Sequence, residues 1–72
     1  MTNTNLLKLK IRDSGLKLFN ISQKMGISRQ TLWKKINNKV AFDQYEIEKL
    51  CVILNITDLY EKERIFFAKV VD

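Results

Sequence analysis

Histidine and proline are missing from this 72-residue chain, and it carries only two glycines and one cysteine. Without histidine it lacks the one side chain whose ordinary pKa suits acid–base catalysis near neutrality. A single cysteine, Cys51, permits neither an intramolecular disulfide nor a thiolate pair for a metal. There is no glycine-rich phosphate loop. The acidic residues are scattered over what read as exposed helical faces, where carboxylates cap helices or aid solubility. These gaps argue against an enzyme, and no cofactor, metal or small-molecule substrate is expected. A signal segment and any apolar run of ~20 residues are also lacking, so a cytoplasmic protein without a membrane partner is expected. Basic and apolar residues mix as they do in membrane-surface helices, but an internal core accounts for the apolar positions.

The scarcity of helix breakers shapes the fold. With hydrophobic residues at 46% and charged ones at 29%, the chain is globular rather than disordered. Period-two alternation is scarce, which predicts an all-α protein, a compact bundle of four to five helices forming one domain over residues 1–72. A chain this short buries only about 60% of its unfolded surface, so its core is small.

Charge is unevenly spread. Through Phe42 there are nine basic residues and one acidic, a net +8; from Asp43 onward four basic and seven acidic give −3, recovering the total of +5. One half suits a polyanion and the other suits something else, although a solvated basic surface would have the same count.

The basic half contains the stretch around which the chain is organised, Leu18 to Lys39. Leu18, Ile21, Ser22 and Met25 share one helical face. Gly26 then favours the left-handed conformation that ends a helix, and the Ser28 hydroxyl is placed to cap a new one. In the second helix, from about Arg29 to Asn37, Leu32 and Ile36 point inward. Arg29, Gln30, Trp33 and Lys34 turn the other way. Two short helices joined by a small-residue turn, with polar and basic residues outside the second, form the helix-turn-helix pattern, here at helices 2 and 3.

The run GISRQTLWKKINNK, followed by Phe42 and by Tyr45-Glu46-Ile47, resembles the phage Cro/CI-repressor helix-turn-helix family. The resemblance extends from about Leu7 to Phe67 and is densest over Gly26 to Ile47. Within the family the chain looks most like short regulators of the lysogeny switch, Cro-like proteins and the antirepressor-like modulator-of-repression proteins of temperate phages. It implies a lambda-repressor-like DNA-binding domain. The implied function is a small transcriptional regulator of a phage lytic/lysogenic switch in a bacterial host. Such a regulator binds double-stranded operator DNA through helix 3, acts with a CI-type repressor, or does both. The alternative it leaves open is a protein-binding modulator that docks on the repressor through the same face. Relatives often have glutamine where this chain has Leu18, a phosphate role that Lys17 or Gln23 could assume, and alanine where it has Ser22. They commonly have glycine in the left-handed position that closes helix 3, here an asparagine.

Ser28, Arg29, Gln30, Trp33, Lys34 and Asn37 are therefore the candidate DNA- or partner-binding residues. Arginine matches the paired acceptors of guanine and glutamine the edge of adenine, whereas the bland reading of each is a solvated side chain. Trp33 could cover the core edge, touch a thymine methyl or sugar, or anchor a protein. Lys17, Thr31, Lys35, Asn38 and Lys39 are the candidate phosphate contacts.

The flanks are read more simply. Residues 1–4 are expected to fray, although Asn3 or Thr4 could cap a first helix that Gly15 stops. Val40 and Phe42 are expected to re-enter the core. Asp43 with Glu46 is a capping box for helix 4, whose stripe of Ile47, Leu50, Cys51 and Leu54 makes Cys51 a core thiol. Asp58 with Glu61 is expected to cap a fifth segment. The apolar tail, residues 65–72, exceeds what so small a core can hide. Tyr60, Phe67, Val70 and Val71 are the candidate surface for a dimer or partner, with the last two residues open to an extended pairing.

Overall fold

Five helices account for most of the chain in a computed structural model, which describes residues 1–69. They are α1 (Thr4–Ser14), α2 (Leu18–Met25), α3 (Arg29–Ile36), α4 (Gln44–Ile53) and α5 (Leu59–Phe66). No strand occurs among the described residues.

Local chemistry sets most of the boundaries. Asn3 Oδ1 accepts from the Leu6 amide at 3.1 Å and opens α1; Gly15, at φ 74°, closes it. Gly26 adopts φ 73° at the end of α2, so a side chain there would be strained. Ser28 Oγ accepts from the Thr31 amide at 3.0 Å and starts α3 two residues later. At α4 both halves of the capping box form: Asp43 Oδ1 takes the Glu46 amide at 2.8 Å, and Glu46 Oε1 takes the Asp43 amide at 2.9 Å. Asp58 caps α5, but Glu61 instead pairs with Lys10 of α1 at 2.6 Å.

α2 packs against both α3 and α4, while α1 packs against α3 and α5. The core they enclose contains Leu7, Ile21, Leu32, Leu50 and Ile65, all essentially inaccessible, with Met25, Ile36, Ile47, Cys51, Leu54, Ile56 and Phe66 around them. Ser22 is buried where α2 meets α3, and its hydroxyl donates back to the Phe19 carbonyl at 2.7 Å. The polar atom is thereby satisfied at a position that demands a small residue.

Two expectations for the flanks fail. Residues 1–4 do not fray. Thr2 is buried, the Asn3 amide donates to the Ile65 carbonyl at 2.6 Å, and the Ala68 amide donates to the Met1 carbonyl at 2.9 Å. The start of the chain fills a gap between the ends of α3 and α5, which local polarity cannot report. Val40 stays largely exposed, because the backbone turn after α3 spends its inward direction on Phe42. That ring meets Phe66 edge-on, centroids 5.7 Å apart at 89°.

Candidate nucleic-acid interface

The face opposite Leu32 and Ile36 carries Arg29, Gln30, Trp33 and Lys34. All four are exposed, and none has a side-chain hydrogen bond or ion pair within the described residues. Lys17, Leu18 and Phe19, at the start of α2, form the far wall of a groove of about 530 Å³; Arg29, Gln30 and Trp33 line the near wall. Trp33 is 49% and Phe19 54% exposed, so each presents roughly half a ring to this space. Lys17 precedes α2 without a side-chain cap, so the first-turn amides of that helix have no side-chain acceptor from it.

Phe19 was not among the expected site residues, yet the sequence contained the signal. It lies off the Leu18–Ile21–Ser22–Met25 stripe, just as Trp33 lies off the Leu32–Ile36 stripe. A large aromatic off the buried face of each helix pointed to a shared outer surface. The expected substitute for the missing glutamine, Lys17, borders the groove, and Gln23 is exposed elsewhere on α2.

Several other expected site residues serve the scaffold. Ser28 caps α3 and donates to Thr31 Oγ1 at 2.8 Å, so both hydroxyls are engaged. Asn37 turns its amide back to the Trp33 carbonyl at 2.9 Å. Lys35, expected at a phosphate, points toward α4 instead. Its ammonium donates to Glu46 Oε1 at 2.9 Å and to the Ala41 carbonyl at 3.0 Å, with the side chain only 11% exposed. A position three residues after Leu32 and one before Ile36 falls near the buried edge, and Glu46 supplies the opposite charge there. Asn38, also expected at a phosphate, takes φ 61° and directs its amide to Thr2. Lys39 is exposed beyond the end of α3.

At the other end of the molecule Tyr60 and Phe67 are both well exposed, and Arg64 lies over the Tyr60 ring at 5.9 Å. Val70 and Val71 lie outside the described residues. Cys51 is on the buried face of α4, and its thiol is pushed up chiefly by desolvation; Lys62 partly offsets this, while Glu48 and Glu61 add to it. A raised thiol pKa leaves little thiolate, in keeping with a core residue.

The groove, the turn at Gly26 and the outward face of α3 are the parts a helix-turn-helix domain uses, and the model of one family matches them. It is that of the Cro/C1-type helix-turn-helix DNA-binding domain, and it matches residues 5–61. The chain belongs to this family. Its five helices, without a strand among the described residues, are the all-α bundle of such a domain. Membership makes this Cro/C1-type protein a DNA-binding transcription regulator with double-stranded DNA as its partner, in a family of regulators rather than enzymes. No curated protein and no solved structure matched the chain in the corresponding comparisons. No helix among the described residues is long and apolar enough to cross a membrane.

Proposed function

We propose that this protein is a small regulator of a phage lytic/lysogenic switch, acting in the cytoplasm of the bacterial host and binding operator DNA through α3. The observation that carries the DNA part is the outward pair Arg29 and Gln30, facing Lys17 across an open groove and backed by buried Leu32 and Ile36, with Lys34 exposed on the same helix. Arg29 and Gln30, at the N-terminal end of α3, read base edges in the major groove. Lys17, Lys34 and Lys39, with the open amides of α2, hold phosphates. The phage assignment rests on the sequence resemblance. One copy grips a single half-site, so the reading includes a second subunit joined through Tyr60, Phe67 and the residues after them.

The test is a gel-shift titration against a mixed-sequence duplex and against candidate operators at several salt concentrations. Affinity should fall linearly on a log–log plot, with a slope of about −0.9 for each phosphate neutralised. A flat salt response would remove the reading.

A second reading is favoured by one specific feature, the two half-exposed rings of Phe19 and Trp33 in the groove. A duplex would cover little of such apolar area, whereas a protein partner would bury it at the centre of an interface. On this reading the basic rim meets an acidic face of a CI-type repressor, and the protein modulates that repressor with little DNA binding of its own. Co-elution with the repressor after nuclease treatment, together with negligible affinity for free duplex, would favour it. Association only in the presence of DNA would favour the first reading.

A further inference from the structure

We propose that Asn38 is a positioning residue: together with Thr2 and Thr4 it clamps the C-terminal turn of the recognition helix to the start of the chain. The geometry of the α3 face thereby depends on residues that lie away from it. The inference rests on the DNA-reading proposal only for its affinity readout.

Every carbonyl in the last turn of α3 has a partner. The Trp33 carbonyl accepts from the Asn37 backbone and side-chain amides, and that of Lys34 accepts from the Lys39 amide at 2.8 Å. The Lys35 carbonyl accepts from the Asn38 amide at 3.3 Å, and that of Ile36 accepts from Thr4 Oγ1 at 2.7 Å. A helix end so fully satisfied is fixed in direction, not only in length. Asn38 is at the centre of this arrangement. Its Oδ1 accepts from the Thr2 amide at 2.9 Å, while its Nδ2 donates to the Thr2 carbonyl at 2.8 Å and to Thr4 Oγ1 at 3.3 Å. The side-chain amide thus pairs with both backbone groups of a buried residue. Across the strap, Asn3 is held by the Ile65 carbonyl of α5.

The choice of residue fits this role. A left-handed φ of 61° favours glycine, and asparagine is one of the few other residues that adopt it routinely. What asparagine adds over glycine is the carboxamide, and here that group bonds to Thr2 and Thr4 at the start of the chain. A donor turned to the protein in this way is not free for a phosphate.

The test combines Asn38→Gly, which eases the backbone while deleting the clamp, with Thr4→Val, which removes only the hydroxyl, and with the double variant. Hydrogen exchange is read on the free full-length protein at the amides of Asn37, Lys39 and Val40. Affinity is read on a mixed-sequence duplex. Each single variant should speed exchange at those amides by about three- to tenfold, more than at amides of α2, and weaken duplex binding by a similar factor. The double variant should bind no worse than about the weaker single one, because both act through one network. Unchanged exchange overturns the clamp. Weaker binding of Asn38→Gly with unchanged exchange makes Asn38 a direct contact, and faster exchange with unchanged binding denies it any positioning role. If the unaltered protein binds no duplex, the DNA reading falls, and the exchange data still decide whether the clamp holds the helix.

Discussion

The two halves of this small domain use similar materials to opposite ends. In α2 and α3 the large side chains off the buried stripe are mixed with unengaged cations: Phe19 and Trp33 with Lys17, Arg29 and Lys34. In α4 and α5 the charges are largely matched. Lys62 pairs with Glu48, Glu61 receives Lys10 from α1, and Glu46 serves both its own helix cap and Lys35. The acidic half thus takes up two of the basic half's lysines, and among the cations left over Lys17 and Arg29 line the groove and Lys34 is exposed on α3. Net charge by halves, +8 against −3, understates this sorting. Much of what separates the groove face from the scaffold here is which lysines have a carboxylate to meet.

Disrupting what the halves share should have the largest effect. Leu32 is fully buried where α3 joins the core, so Leu32→Ala should remove about 3 kcal/mol, a large part of the stability of a domain this size. Urea denaturation would show it as a lower midpoint at unchanged slope, with DNA binding lost in proportion to unfolding. Arg29→Ala, on the proposed reading, leaves the midpoint unchanged, weakens binding by about 2 kcal/mol and relaxes preference at one base pair. A competition assay against single-base variants of the operator checks this. A uniform loss across all sequences would show that Arg29 only holds a phosphate.

Neighbouring lysines sharpen the contrast further. Lys34→Ala should leave stability within about 0.5 kcal/mol and reduce the salt slope of binding by roughly one. Lys35→Ala should do the reverse, lowering stability by about 1–2 kcal/mol because Glu46 loses its counter-charge in a mostly buried setting. Equal effects of the two on binding would erase the distinction.

The smallest effect belongs to the acidic half. Burial raises the Cys51 thiol above its ordinary 9.0, and the hydrogen bond to Glu48 raises Lys62 above 10.5. For both groups the folded state holds its proton more firmly than the unfolded one. Their contribution is therefore complete below pH 9.0 and is lost as pH rises past the ordinary thiol value and then past that of the amine. Denaturation midpoints should drift downward over that range. Alkylation of native Cys51 should be at least about tenfold slower than that of a free thiol and should accelerate with urea.

How much of this could be read in advance varies residue by residue. Leu18, Ile21 and Met25, then Leu32 and Ile36, declare two helices by spacing, and Gly26 with Ser28 declares the turn between them. The Asp43–Glu46 box is equally local. Lys35 and Asn38 were misplaced because both look like ordinary polar residues at the end of a basic helix. Their partners, Glu46 and Thr2, are 11 and 36 residues away. The start of the chain was misjudged for the same reason, since nothing in a short polar segment indicates that the ends of two helices will converge on it.

The sequence alone determined the helices, their caps, the inward stripe and the charge asymmetry. Each of these is settled by groups within about one helical turn of one another or by simple composition. Only the tertiary structure decided which cations are spent inside and which remain for a polyanion, that Phe19 shares a groove with Trp33, and that Asn38 faces the protein. Those outcomes depend on which surfaces meet when the helices pack, and packing joins residues that spacing along the chain cannot relate.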